Sequence, residues 1–451
     1  MAESSWLEID LSRLDRNVAT IHRLLRSKQV ANGSGPPQGQ NQGRPRGPNP
    51  NRQPAGRDPM ICAVVKKNGY GLGAVAVAHR LVKAGCEMLA VYGPEEAEEL
   101  IRNALTCPIL LMKPLRELGR TNVLYRHAVA EKLHLTIHDC QQLEQVNAIG
   151  RGFGIRFPVH LHLDTGMSRL GLNTQQFRQA LGDLANQPHL HVAGIYSHLA
   201  TAASDPALCY EQLERFEQAV ADHADQLPGA TILHLANTCG MLRNRRFHLD
   251  MVRIGIGLLG YGPEMLAPDP ALAETPKLEP VLQWISRVIH VQTYPRRTPV
   301  GYGATHRLRR DSVLGVVPVG FGDGYPPIVA NKATVRVCRP NRPTPGQTPG
   351  STSGPPPGGP NPSPPPYTDA RVLGQVSMDQ LIIDLTEAVE DGQQRSADAA
   401  GQELVGALVQ VVSADPEAPN SLPNLAALAK SHVYEMLCRL SPTLTRRYLR
   451  T

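Results

Sequence analysis

The chain is 451 residues long, with 46 Lys and Arg against 40 Asp and Glu and a formal net charge of +6, which allows two or three domains and a large buried core. Six of the basic residues (Arg26, Lys28, Arg44, Arg46, Arg52 and Arg57) share one stretch without an acid, leaving 40 against 40 elsewhere, a distribution that argues against a nucleic-acid-binding fold. Gly and Pro number 40 each without the Gly-X-Y period of collagen, and eight cysteines without a CxxC pair exclude a zinc cluster and a dense disulfide framework.

The cysteines therefore read as reduced thiols. The N-terminus lacks a basic start followed by an apolar run, and no stretch of about 18 apolar residues occurs. A soluble, cytoplasmic protein without a membrane partner is expected.

In chain order, Trp6 to Leu11 reads as a strand, and Ser12 with Asp15 can cap a helix that carries Leu14, Val18, Ile21 and Leu25 on one face. Gly33 to Asp58 holds almost nothing able to bury apolar area, so it cannot offset its ordering entropy and reads as a disordered surface insertion. Apolar runs follow at Ile61 to Val65, Met88 to Val91, Ile109 to Met112, Val159 to Leu163, Val192 to Tyr196 and Thr231 to His234, separated by helical stretches such as Gly73 to Ala84 and Gln175 to Ala185. Repeated βα units of this kind imply an α/β fold with an N-terminal (β/α)8 TIM-type barrel over residues 1–278. From residue 279 the chain turns β-rich: Val281 to Thr293, Val313 to Val319, Thr334 to Val337, Leu381 to Leu385 and Leu408 to Val412 predict a mostly antiparallel β domain over 279–451. A second Pro/Gly-rich insertion spans Arg339 to Tyr367, and a weaker one Glu390 to Gln402.

Polar residues follow the barrel strands. Lys66 closes ICAVVK, Asp164 and Arg169 follow VHLHL, His198 follows GIYS, Asn237 and Thr238 follow ILHLA, and Arg253 follows LDMV. Catalytic groups of a barrel gather at the carboxyl ends of its strands, so these ends are expected to converge on one mouth. A lysine at such a place is either paired structurally or used chemically. The turn after it, Asn68 to Gly73, lets the backbone approach a ligand and sets Tyr70 nearby, but fits a dinucleotide-binding pattern poorly. His160 and His162 alternate on one strand; two such ligands without a third do not make a metal site, and none is expected.

The blocks AVVKKNGYGLG (63–73), HLDTGMSRLG (162–171), YSHLATAASDP (196–206), HLANTCG (234–240), VRIGIGLLGYGP (252–263), VGYGATHRL (300–308), PVGFGDGYP (318–326), GQVSMDQ (374–380) and YEMLCRLSP (434–442) resemble, in order, the signature blocks of the alanine racemase family. The resemblance implies a barrel that binds pyridoxal 5'-phosphate, a C-terminal β domain and a head-to-tail homodimer with shared active sites. It makes Lys66 the lysine that carries the cofactor and one of two proton-handling groups, with Tyr302 the other, contributed by the partner chain. Tyr70, Thr238, Gly255 and Ile256 match phosphate ligands; Asn237 and His198 fall among the cofactor contacts. Arg253 matches the arginine at the pyridine nitrogen, and Arg169 and Met378 match residues that meet the substrate carboxylate.

The sequence also departs from the family pattern. His162 stands where many members carry a lysine that supports the Arg169 position, Leu72 replaces a common histidine, Gln375 and Pro327 replace arginine and another residue of the substrate corridor, and Pro442 replaces a tyrosine. The activity implied is interconversion of L- and D-alanine, supplying D-alanine for peptidoglycan. The alternatives are a racemase of broader range, accepting serine for example, and a non-catalytic pyridoxal-phosphate protein, which would lack the second domain with Tyr302. Barrel decarboxylases place an acid where Arg253 stands, and RNA binding would rest on the basic strip alone; no specific nucleic-acid partner is expected.

Overall fold

In a computed structural model of the protein, residues 3–26, 58–266, 276–338, 367–390 and 401–450 are described. They fall into two compact units, Leu11–Glu279 and the pair of segments Met1–Asp10 and Pro280–Thr451. The expected insertions lie outside the described residues, apart from Asp58, Tyr367, Glu390, Gly401 and Gln402 at their margins.

The chain opens with strand β1 (Ser5–Asp10) and helix α1 (Leu11–Arg26). Eight parallel strands then close a barrel in sequence order: β2 (Met60–Val64), β3 (Met88–Val91), β4 (Ile109–Leu111), β5 (Leu133–Ile137), β6 (Phe157–His162), β7 (Leu190–Tyr196), β8 (Ile232–His234) and β9 (Met251–Ile254). Closure is made where β2 lies beside β9, with Met60 opposite Met251 and Cys62 opposite Arg253. Strands covered on both faces call for near-continuous apolar sequence, and MICAV, MLAV and ILL supply it. Cys62, Met88, Ala90, Leu110 and Met251 pack together in the interior. Outside, the helix Ala74–Lys83 buries Ala74, Val77, Ala78 and Leu81, the i, i+3, i+4, i+7 stripe of an amphipathic helix. Helix α1 covers the same unit through Leu14, Val18, Ile21 and Leu25. Its Asn17 amide donates to the carbonyls of Leu258 (3.1 Å) and Glu279 (2.8 Å). The expected cap is not used: the helix begins at Leu11, so Ser12 is buried inside it and Asp15 pairs with Arg80 instead.

The second unit is a nine-stranded sheet. Its strands are β10 (Leu282–Arg287), β11 (His290–Tyr294), β14 (Ser312–Val317), β15 (Thr334–Cys338), β16 (Tyr367–Leu373), β17 (Leu381–Asp384), β18 (Leu408–Val412) and β19 (Thr445–Leu449), with β1 as the ninth. The order across it is β11-β14-β17-β16-β15-β18-β10-β1-β19, and a separate two-stranded pair is formed by β12 (Pro299–Val300) and β13 (His306–Arg307). Every pairing is antiparallel except β1 with β19. The N-terminal strand, grouped with residues 1–278 by the sequence reading, thus belongs to the sheet: Trp6 lies opposite Ile285 on one side and Thr445 on the other. Its Trp6, Leu7 and Ile9 are buried there, and the Arg447 guanidinium lies 4.2 Å from the Trp6 ring. All eight cysteines are free thiols; Cys62, Cys86, Cys209 and Cys239 are buried and Cys438 is exposed.

Candidate active site

Strand β2 ends at Val64, and Val65 still donates to the Ala90 carbonyl (2.9 Å), so half-buried Lys66 is the first side chain past the barrel wall. The backbone then takes a left-handed course: φ is +54° at Lys67, +54° at Asn68, +60° at Gly69, +57° at Tyr70 and +79° at Gly71. Three non-glycine residues in this region carry strain that the surroundings must hold. The Asn68 Oδ1 accepts from the Ala74 N–H (2.8 Å), Glu96 accepts from the Lys67 N–H (2.7 Å), and the Gly69 N–H donates to the Val65 carbonyl (2.9 Å). The turn delivers buried Tyr70 against Gly255, just past the end of β9. A Cβ on Gly255 would fall against the Tyr70 hydroxyl and 2.8 Å from its Cζ, so only a glycine admits the phenol.

Arg253 lies inside β9 rather than after a strand, and it is buried. Its Nη2 donates to the Ser197 carbonyl (2.8 Å) and the Leu235 carbonyl (3.3 Å) and lies 3.3 Å from His198 Nδ1; its Nη1 donates to the His234 carbonyl (3.2 Å) and lies 3.0 Å from His234 Nδ1. The guanidinium also covers the Tyr196 ring at 4.7 Å. Every one of these partners is a carbonyl, an imidazole or a ring face, so among the described residues no carboxylate neutralises the cation. Burial, which disfavours the charged form, lowers its pKa from the ordinary arginine value. At His198 burial, with the cations of Arg253, Arg169 and Lys66, lowers the imidazole to about 3, so His198 is neutral. The field of these three cations thus meets at one ring.

Thr238 is buried at the start of the short helix Thr238–Arg243, and its hydroxyl accepts from the Gly257 N–H (3.3 Å). Asn237 caps that helix, its Oδ1 accepting from the Gly240 N–H (2.9 Å). Ile256 opens the turn Ile256–Leu259. On the loop after β6, the Asp164 carboxylate accepts from the N–H groups of Gly166 (3.0 Å) and Met167 (2.8 Å), folding the segment that presents exposed Arg169. In the sheet unit, Tyr302 is 71% exposed between Gly301 (φ +66°) and Gly303 (φ +67°). Met378 is 58% exposed, its carbonyl accepting from the Gly322 N–H (2.9 Å). Among the described residues no group of three or more His, Cys, Asp or Glu is arranged to hold a metal ion, and no helix is long and apolar enough to cross a membrane.

The family model described as "Alanine racemase, N-terminal domain" matches residues 51–263, and "Alanine racemase, C-terminal domain" matches residues 281–348 and 367–448. The chain belongs to the alanine racemase family. An alanine racemase of Symbiobacterium thermophilum is 30% identical, covering 98% of this chain and 97% of its own length, and one from a Nostoc species is 34% identical over 74% of this chain and 78% of its own. The fold is shared with a crystal structure of alanine racemase from Bartonella henselae with covalently bound pyridoxal phosphate, at a TM-score of 0.70 and 22% identity, covering 99% of this chain and all of that one.

Against this alanine racemase background the departures acquire surroundings. His162 is engaged elsewhere than on Arg169: its Nδ1 meets His138 Nδ1 at 3.1 Å and its ring stacks on Tyr196 at 4.4 Å. No hydrogen bond or ion pair of Arg169 is formed among the described residues. Leu72 is fully buried, so the position is given to packing. Gln375 lies beside the Tyr302 turn, Pro327 opens the turn Pro327–Val329, and the Pro442 carbonyl accepts from Arg446 (3.2 Å). The sequence reading missed His234, Tyr196 and Gly194, all of which touch Arg253 or its supports. The signal available was an unusual polar content, four histidines, in the buried strands VHLH, ILH and LHLTI.

Proposed function

We propose that the protein is an alanine racemase that interconverts L- and D-alanine with pyridoxal 5'-phosphate, supplying D-alanine for peptidoglycan, and that it works as a homodimer with shared active sites. The observation that carries the reading is the buried Arg253 guanidinium, surrounded only by neutral acceptors, in a chain of the alanine racemase family. The residues present fit the cofactor: a half-buried lysine past a strand end, a phenol seated on a glycine, and a donor-only side chain in the barrel interior.

Lys66 holds the cofactor through its amine. Tyr70, Thr238, Gly255 and Ile256 surround the phosphate, Asn237 holds the helix start beside it, and His198 packs by the ring. Pyridoxal phosphate, when bound, supplies a conjugated ring that takes up electron density as the Cα proton leaves. Arg253 has hydrogens to share but none to release at neutral pH, so a ring nitrogen it meets stays unprotonated. That limits how far electron density is drawn away and favours return of a proton to Cα. Lys66 handles the proton on one face and Tyr302 of the partner subunit on the other, while Arg169 and the backbone at Met378 of the partner subunit hold the substrate carboxylate. The glycines on both sides of Tyr302 and its exposure support a role at a surface completed by a second copy.

The reading is tested by supplying the cofactor-loaded protein with a panel of L-amino acids and separating the enantiomers by chiral chromatography. Alanine should be converted far faster than serine or larger residues; a loaded protein inert towards alanine overturns the reading. Lys66→Ala should abolish the borohydride-trapped cofactor adduct, and trapping at another lysine would displace Lys66 from its role.

A further inference from the structure

Barrel interiors are ordinarily filled by branched apolar side chains, but β5, β6 and β8 here carry histidines that bond to one another. His134 Nδ1 lies 2.9 Å from His160 Nε2, His160 Nδ1 lies 2.8 Å from His234 Nε2, and His234 Nδ1 lies 3.0 Å from Arg253 Nη1. His160 and His234 are fully buried. They meet across β7, at the position where that strand has Gly194: a Cβ there would fall against His160 Nδ1 and 2.7 Å from its Cε1. The register of β6 against β7 shifts between Val159 and His160, which brings Gly194 opposite His160.

The direction of this ladder follows from its arginine end. Arginine only donates, so His234 Nδ1 must be the unprotonated acceptor and a neutral His234 carries its hydrogen on Nε2. That hydrogen goes to His160 Nδ1, which places the His160 hydrogen on Nε2, and this one goes to His134 Nδ1. We propose that His160 and His134 are positioning residues: the ladder holds His234 in one tautomer and orientation, and thereby holds the Arg253 guanidinium in the direction it needs at the cofactor ring. This inference rests on the placement of Arg253 proposed above. Among the described residues, the ionisable groups that face the ladder are Arg253, His162, His191 and Tyr196 and, beside Arg253, Cys62 and His198. None is a carboxylate, so nothing present favours an imidazolium. Burial, the largest cause, lowers His134 to about 4 and His160 and His234 far below the ordinary histidine value.

The test begins with the cofactor-free protein labelled with 15N-histidine. All three ladder histidines should show a protonated Nε2 and an unprotonated Nδ1 from neutral pH down to about pH 5, with scalar coupling across the His160 to His234 hydrogen bond. A protonated Nδ1 or a charged ring at His160 or His234 at neutral pH overturns the ladder. The loaded enzyme then supplies a second readout. His160→Leu leaves the His234 Nε2 hydrogen without an acceptor and should lower kcat about tenfold with KM little changed, while raising the side reaction in which the amino group of alanine stays on the cofactor and pyruvate is released, counted per racemisation event. His160→Asn, whose side-chain oxygen can occupy the Nδ1 position, should restore kcat to within about threefold. If the tautomers are as stated and His160→Leu changes neither kcat nor the side reaction while Arg253→Lys changes both, the positioning role is wrong. If Arg253→Lys also changes neither, the placement of Arg253 at the cofactor is what fails.

Discussion

Gly255 leaves just enough room for the Tyr70 phenol, so Gly255→Ala should push Tyr70 out of its seat. Overpacking of this kind costs about 1–3 kcal/mol, and the cofactor Kd, followed by fluorescence titration, should weaken about tenfold. An alanine variant with unchanged Kd would remove Tyr70 and Gly255 from the phosphate site. Protonation is the second residue-scale lever. His134, His162 and His198 sit near 4, 2 and 3 in the folded chain, each depressed first by burial, against 6.5 for a free imidazole. Between those values the unfolded chain binds more protons than the folded one. The stability they contribute is complete above about pH 6.5 and is lost as the pH falls from there towards the folded values. The half-exposed His198 adds least because water screens it. The urea midpoint should therefore fall between about pH 7 and about pH 5, and a flat profile would contradict neutral burial. At this scale the ends of apolar runs pointed to Lys66, His198 and Arg253, and the structure sets His198 beside Arg253 and within the field of Lys66; their roles belong to the proposal. The ladder was hidden because His160 finds its partners 26 and 74 residues away, where spacing along one strand carries no signal.

At the scale of elements, apolar runs located β3 and β18 to the residue and β2, β4, β7 and β8 to within two, because a strand buried on both faces must be continuously apolar. Strand β5 (LHLTI) was overlooked, and β9 (MVRI), seen as the run LDMV, was ended before Arg253, because a histidine and an arginine break those runs. Val281 to Thr293 was read as one segment and is two strands, since Val288 donates to Ala407 but Ile289 donates to Val316 and the chain changes partner there. Cys338 and Tyr367 lie directly opposite one another on β15 and β16, so a short turn suffices to join them. Deleting Pro345 to Pro365 should leave racemisation within about threefold and the melting temperature within a few degrees. Gly35 to Ala55 should be equally dispensable, because Arg26 and Asp58 on either side already form an ion pair at 2.9 Å. Loss of folding from either deletion would assign these segments a structural role.

For the whole molecule, the proposed shared site makes a quantitative prediction. Homodimers of Lys66→Ala and of Tyr302→Phe should each be severely impaired. If the two residues of a site come from different chains, a mixed dimer collects both substitutions in one site and neither in the other. Equal amounts re-paired at random should then restore about a quarter of all sites, read as alanine racemisation after joint refolding. Verified mixed dimers without recovery would remove Tyr302 from the partner's site. The two-part architecture itself was legible from the change to β-rich sequence near residue 279; the home of β1 was not, because its partners lie at the far end of the chain. Held between β10 and β19, β1 is made before the barrel and pairs with strands made after it. The barrel sequence can collapse as it is made, but β1 must wait for β10 and then for residues 445–449, with Trp6 on one face and Leu7 and Ile9 on the other uncovered meanwhile. Refolding should accordingly be biphasic, and truncation before Thr445 should leave β1 with an unpaired edge open to aggregation.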